Sequence, residues 1–181
     1  MIKQITLLVL FAISLVACST YTTPRYAINA DNNVALKALG TSELSVGTFS
    51  GPATFSNACR AAGPLAPPDG MTHTAYIQKA FEDEFKVAGI YAGTAPRATV
   101  SGVVNNLAFS SARNLTGGSW DVDLTLSSSN GKSMTVVEHY EFESGFIADT
   151  ACKQTAEAFF PTVQNLVGKA VRSPDFKALV Q

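Results

Sequence analysis

Three cysteines are the residues of this chain best suited to covalent chemistry: Cys18, Cys59 and Cys152. Cys18 lies at the end of an N-terminal signal sequence for export, which leaves Cys59 and Cys152 as an even pair. In an exported protein such a pair predicts a disulfide. The bond would close a loop of roughly 90 residues and contribute ~4 kcal/mol to stability. A reactive thiol is the alternative, since Cys152 lies in the predicted first turn of a helix, where the pKa of a thiol is lowered.

The remaining side chains that could catalyse a reaction or bind a metal are dispersed. His73 ends a predicted loop and His139 lies on a predicted strand, whereas a metal site needs closely spaced ligands. Both histidines are therefore predicted to be structural or incidental. The consecutive carboxylates Glu82–Glu84 lie on the polar face of a predicted helix, which favours a solvated surface over acid and base chemistry. The sequence predicts no catalytic residue, no metal and no cofactor.

The first eighteen residues have the layout of a secretory signal peptide. Lys3 precedes the uncharged apolar run Ile5–Val16, which is shorter than the ~20 residues of a membrane-spanning helix. The ending, Leu-Val-Ala-Cys at residues 15–18, resembles the lipobox of bacterial lipoproteins. This resemblance implies cleavage before Cys18, attachment of lipid, including palmitate, to Cys18, and an anchor in the cell envelope. Ser19, rather than Asp, after the cysteine implies sorting to the outer membrane, with the domain facing the periplasm.

Composition indicates one domain and argues against nucleic acid as a partner. The chain has 181 residues, and charged residues make up only 15% of them, below the ~25% usual for soluble domains. The 13 Lys and Arg residues are scattered and the net charge is −1, whereas nucleic-acid binding needs clustered positive charge. We predict a signal peptide over residues 1–17, a tether over 18–42 and a single domain over 43–181.

The first half of the predicted domain contains one strand, a long loop and one helix. Residues 44–49 alternate as a strand does, and the Gly- and Pro-rich stretch 53–73 predicts an irregular loop that Cys59 could pin. Residues 74–88 predict a helix whose apolar stripe is followed by Gly89, a residue suited to a helix C-terminus. The stripe consists of Ile77, Phe81, Phe85 and Ala88.

The second half predicts three strands and two helices. Strand 97–110 alternates imperfectly, which indicates a bulge or burial of both faces. Residues 120–126 alternate cleanly, and Asn130-Gly131 predicts a hairpin that leads to strand 132–143. Glu138 falls on the apolar side of that strand, where it would mark a bulge or the open end of the sheet.

Residues 149–172 predict a helix capped by Asp149 or Thr150, and Ser173-Pro174 begins a short last helix. The resulting order of strands and helices is β-α-β-β-β-α. We therefore predict an α+β fold in which helices pack on one face of a small, mostly antiparallel sheet.

Several motifs together resemble the YajG family of bacterial envelope lipoproteins. They are residues 103–107 (Val-Val-Asn-Asn-Leu), the Asn130–Lys132 turn before Met134, the strand end 140–146, and the final Ser173–Phe176. The likeness covers most of the domain and implies no catalytic residues. The order of elements is also similar to modules of the LptE, LpoB and TolB N-terminal kind, which bind partner proteins or assist assembly.

The sequence therefore predicts a non-enzymatic lipoprotein that serves as an interaction or assembly module, with the membrane and an envelope protein as partners. One alternative is a carrier of a lipid or other hydrophobic ligand, held between the sheet and the helices. The other alternative is an enzyme that uses Cys152 or a pair of a histidine and a carboxylate.

Overall fold

A computed structural model describes residues 19–40, 43–52, 54–113 and 116–181 of the chain. The predicted signal peptide and the predicted lipid-attachment site, Cys18, lie outside these residues. The described strands are β1 (Tyr21–Thr22), β2 (Leu44–Ser50), β3 (Ala58–Cys59), β4 (Gly63–Ala66), β5 (Ala98–Arg113), β6 (Gly117–Ser128) and β7 (Ser133–Glu143). The described helices are α1 (Ala30–Ala38), α2 (His73–Ala88), α3 (Ala148–Val171) and α4 (Pro174–Val180).

Four strands form the central sheet in the order β2-β5-β6-β7. Strand β6 is antiparallel to both β5 and β7, whereas β2 is parallel to β5 after the crossover through α2. The register of β5 against β6 shifts between Val104 and Asn106, which confirms the bulge, one of the two alternatives predicted for this strand. The predicted α+β class with a mostly antiparallel sheet is confirmed.

The apolar side chains of β6 show why the helices pack on one face of the sheet. Trp120, Val122, Leu124 and Leu126 are buried, and the alternate residues face away from them because side chains of a strand point to opposite sides. Trp120 also donates a hydrogen bond of 2.8 Å from Nε1 to the carbonyl of Thr155 in α3. The opposite face of β5–β7 is largely exposed and mostly polar, with Val103 and Val137 as exposed apolar residues.

Local sequence signals account for the ends of α2 and for the hairpin between β6 and β7. Thr72 caps α2 by accepting a hydrogen bond from the amide of Ala75 (3.1 Å). Gly89 ends the helix with φ 73°, a left-handed conformation that glycine adopts without strain. At the hairpin, Asn130 Oδ1 accepts a hydrogen bond from the amide of Lys132. The predicted helix and hairpin are both present.

The predicted tether is wrong for the part of residues 18–42 that the structure describes. Tyr21 is 8% exposed and Leu36 is fully buried, and α1 packs against α2 and α3. Strand β1 pairs in parallel with β4, which also pairs with β3. These two- to four-residue strands lie within the segments predicted as tether and loop. The folded domain therefore includes Tyr21 and α1 and does not begin at residue 43.

The predicted cap of the long helix is also wrong. Ile147 flanks the first residue of α3, and no side chain caps this end. Ser173, by contrast, caps α4 through its Oγ, which accepts a hydrogen bond from the amide of Asp175. Within the described ranges, no helix is long and apolar enough to cross a membrane.

Candidate functional site

A disulfide joins Cys59 in β3 to Cys152 near the start of α3, with an S–S distance of 2.04 Å and Cα atoms 5.8 Å apart. The exposed fraction of Cys59 is 1% and Cys152 is fully buried. The disulfide that the cysteine count predicts is therefore present. Because Cys152 is bonded and buried, the structure contradicts the alternative of a reactive thiol at this position.

Arg60, next to the disulfide, ties three segments of the chain together. Its Nε donates to Ser111 Oγ at the end of β5 (2.9 Å). Its Nη1 donates to the carbonyl oxygens of Phe146 (2.9 Å) and Gly145 (3.3 Å) in the loop before α3. The guanidinium thus fixes the β7–α3 loop against β5 and the small sheet.

The N-terminal end of the described chain lies at this same end of the molecule. The hydroxyl of Tyr21 donates to Asp149 Oδ1 in the first turn of α3 (2.9 Å). A Cβ at Gly63 would lie 1.8 Å from the carbonyl oxygen of Ser19, so only glycine permits this close passage. The start of the domain therefore lies beside the disulfide and the first turn of α3.

A cleft of about 570 Å³ opens between β2, the segment 55–74 and β5. Its volume falls within the roughly 300–1,000 Å³ that is usual for ligand sites. The lining residues are Phe49, Gly51, Pro52, Phe55, Asn57, Leu65, Ala66, Pro67, Met71, Thr72, His73, Thr74 and Leu107. The cleft is therefore mixed in character, with apolar side chains beside a histidine, an asparagine and the first turn of α2.

His73 is the titratable residue of the cleft. Its exposed fraction is 6%, and its Nε2 has no hydrogen-bond partner among the residues that the structure describes. Its ring centroid lies 4.9 Å from those of Phe55 and Phe159 and 5.8 Å from that of Trp120. Burial lowers the pKa of His73 to about 4, so the ring is neutral at neutral pH. His73 begins α2, whereas the sequence predicts the end of a loop.

His139 lies on the uncovered face of the sheet, on the side of β7 opposite Tyr140, as predicted. Its Nδ1 is 2.5 Å from Asp121 Oδ1 and its Nε2 is 3.1 Å from Glu141 Oε1. The hydrogen bonds to Asp121 and then Glu141 raise the pKa of His139. In the described part of the chain, no group of three or more His, Cys, Asp or Glu residues is arranged to hold a metal ion.

The prediction that Glu84 lies on a solvated face is wrong. Glu84 is fully buried, and its Oε1 accepts hydrogen bonds from Tyr26 Oη (2.8 Å), the amide of Asn29 (3.0 Å) and Asn32 Nδ2 (3.2 Å). Burial, and then the charge of Glu84, raise the pKa of Tyr26. The N-terminal segment folds back over α2 here, so a face that looks polar along the helix becomes an interior contact.

Glu138 marks no bulge, but it lies on β7, the edge strand of the central sheet, which agrees with the second of the two predicted alternatives. Strand β7 pairs with β6 without a register shift, and the exposed fraction of Glu138 is 2%. Its Oε2 lies 2.6 Å from Lys169 Nζ, and its Oε1 accepts a hydrogen bond from Asn165 Nδ2 (3.2 Å). Helix α3 therefore neutralises a carboxylate that local sequence places among apolar neighbours.

Comparisons with known proteins yield a structural likeness but no family. No family model matches the chain, and no curated protein matches it in sequence. Among solved structures, the chain is similar to a candidate lipoprotein from Caulobacter crescentus CB15, with 11% identity over 82% of this chain and 94% of that one. The TM-score is 0.45. The resemblance to the YajG family stays a prediction.

Sequence reasoning misses the role of Arg60 and the exposure of Phe146 and Ile147. Arg60 lies in the stretch predicted as irregular, with a left-handed φ of 45° that no local pattern indicates. Phe146 and Ile147 are a pair of apolar residues between a strand and a helix. That placement is the one signal that could have identified them as an exposed apolar tip.

Proposed function

We propose that the protein is a non-enzymatic lipoprotein of the bacterial envelope, anchored through lipid on Cys18. The anchor would hold it at the outer membrane with the domain in the periplasm. The likeness of residues 15–18 to a lipobox supports this proposal, and so does the buried disulfide, because such bonds persist in oxidising compartments. The YajG resemblance belongs to the same proposal.

The folded domain would bind an apolar segment of another envelope protein in the cleft that His73 lines. The size and the mixed lining of the cleft are the observations that carry this role. Apolar walls such as Phe55 and Leu107 can bury a partner's side chains, while Asn57 and the first turn of α2 offer polar contacts. The cleft is open to solvent, which suits a segment that arrives from outside.

Site-specific photocrosslinking in cells tests the proposed partner. A photoreactive phenylalanine analogue replaces Met71 in the cleft of the full-length chain, and Val34, which is 68% exposed on α1, is the matched control site. We expect an adduct with an envelope protein from Met71 and not from Val34. Equal adducts at both sites, or none at Met71, would contradict the proposal.

Cleavage and lipidation form a separate test of the anchor. The mass of the mature protein should equal that of the chain from Cys18 plus attached lipid, and Cys18→Ala should leave the precursor uncleaved. An unmodified Cys18 in the mature protein would overturn the anchor without bearing on the cleft.

A carrier of a lipid or another hydrophobic ligand is the second candidate function. The aromatic and aliphatic walls of the same cleft favour it. Native mass spectrometry of the full-length protein, extracted in mild detergent, should then show a bound small molecule. Met71→Trp, which places a larger side chain in the cleft, should weaken or remove binding of that molecule, while Val34→Trp should retain it. An unliganded wild-type protein would contradict the carrier function.

A further inference from the structure

Phe146 and Ile147 form an exposed apolar tip in the loop between β7 and α3. Their exposed fractions are 79% and 69%, the two highest among the large apolar side chains in the described part of the chain. The two residues are consecutive, and both side chains project into solvent. Transfer of these two side chains from water to an apolar environment would be favourable, so the tip is a candidate contact surface.

The tip is held in place by several hydrogen bonds. Arg60 Nη1 donates to the carbonyl oxygens of Gly145 and Phe146. The amide of Gly145 donates to Gln154 Oε1 (2.6 Å), and Ser144 Oγ donates to the carbonyl of Ser111 (2.6 Å). An apolar pair that is already ordered loses little conformational freedom on binding. The geometry is therefore that of a preformed contact.

The tip lies at the end of the molecule from which the chain leads to Cys18. Tyr21 contacts Asp149, which is two residues beyond Ile147, and Ser19 passes against Gly63 beside the disulfide. Tyr21 is buried and follows Cys18 by three positions, and an extended chain covers at most roughly 10 Å over three positions. A lipid on Cys18 therefore holds this end of the domain against the surface of the bilayer.

We propose that Phe146 and Ile147 insert into the boundary between headgroups and acyl chains of the same bilayer that holds the lipid on Cys18. This inference rests on the anchor proposed above. The contact is apolar, and an aromatic ring is well suited to this depth. It gives the domain two attachments, the lipid and the tip, and so fixes which surface faces away from the membrane.

Fluorescence quenching by lipids with brominated acyl chains tests the inserted tip. The lipidated full-length protein carrying Phe146→Trp is reconstituted into phosphatidylcholine vesicles, and Val34→Trp is the control. Val34 is a suitable control because it is far from the tip. It lies on α1, which approaches α3 at Gly168 through Asn32 Oδ1. Gly168 lies about 30 Å along α3 from Ala148, the residue that follows the tip. The native Trp120 is fully buried, so its emission is subtracted as a constant background.

We expect Phe146→Trp to show a blue-shifted emission and a loss of intensity that is stronger with bromine near the headgroups than near the chain ends. Val34→Trp should show neither effect. Both side chains are exposed, so neither substitution disturbs the core. Quenching no greater for Phe146→Trp than for Val34→Trp overturns the inserted tip. If Cys18 is lipidated in the same preparation, the anchor remains. If mass spectrometry finds Cys18 unmodified, the anchor and the tip both fail.

Discussion

The buried carboxylate of Glu84 gives the sharpest test of how the N-terminal segment is held. Its Oε1 accepts hydrogen bonds from Tyr26, Asn29 and Asn32. Glu84→Ala removes the acceptor for all three donors. We expect this variant to unfold more easily and to release the segment around α1 from α2.

The expected loss can be worked from those three contacts. A hydrogen bond to a charged group contributes roughly 1.5–3 kcal/mol, and a buried donor left without a partner costs roughly 1–3 kcal/mol. Asn32 is fully buried, while Tyr26 is half-buried, so the full penalty applies to Asn32 and a smaller one to Tyr26. We therefore expect a loss of about 3 kcal/mol, a large part of the ~5–15 kcal/mol of a typical domain.

Guanidinium unfolding, followed by circular dichroism, measures this loss on the chain from Ser19. With a slope of roughly 4 kcal/mol per molar, the midpoint should fall by about 0.7 M. Trypsin should also cleave faster after Arg25, since the segment that carries it is released.

Two variants are the controls for Glu84→Ala. Glu82→Ala removes a surface ion pair with Lys86 from the same helix and should change the free energy of unfolding by about 0–1 kcal/mol. Glu84→Gln retains an acceptor oxygen and should fall between the two alanine variants. If Glu84→Ala and Glu82→Ala unfold at the same midpoint, the reasoning about the buried carboxylate is wrong.

The disulfide, the buried histidine and the buried ion pair each lead to a further expectation. Replacing Cys59 and Cys152 by alanine removes a disulfide between residues 93 positions apart and should lower the free energy of unfolding, measured in urea, by about 4.5 kcal/mol. An unchanged urea midpoint would contradict this stabilising role of the disulfide. Because the pKa of His73 falls from 6.5 to about 4 on folding, the unfolded chain alone binds this proton between those values. Stability should therefore decrease by up to ~3 kcal/mol as the pH falls through that window, and His73→Phe should remove this part of the slope in urea unfolding at several pH values. Lys169→Met leaves Glu138 buried without its cation and should cost about 3 kcal/mol. In a thermal double-mutant cycle, adding Glu138→Val should restore most of that loss, and additive effects would contradict the pairing.

Elements with local signals are predictable from the sequence. Helix α2 carries its own apolar stripe, a threonine cap and Gly89, and the hairpin carries Asn130-Gly131, so both are encoded by neighbouring residues. The disulfide follows from counting cysteines. The predicted order of the main strands and helices is correct because alternation and helical spacing are properties of short windows.

The errors occur where a distant segment determines the environment. Asn32 is buried by Glu84, which lies 52 positions away, and nothing near either residue indicates this. The burial of Glu138 is unpredictable for the same reason, because its cation, Lys169, comes from another element. The candidate cleft is also assembled from separate segments, with Phe49, Met71 and Leu107 on different elements. No residue near His73 in the sequence indicates that its side chain lines a cleft.

The open edge of the central sheet has a consequence for aggregation. Strand β7 is an edge strand of eleven residues, and unpaired edges of this length can pair with other chains. Lys169 Nζ donates to the carbonyl of Val137 (3.2 Å), which occupies one acceptor on this strand. The charged side chains of Glu141 and Glu143 project from its exposed face. Lys169 against the edge and the charged side chains on the exposed face of β7 therefore disfavour edge-to-edge pairing between copies of the protein.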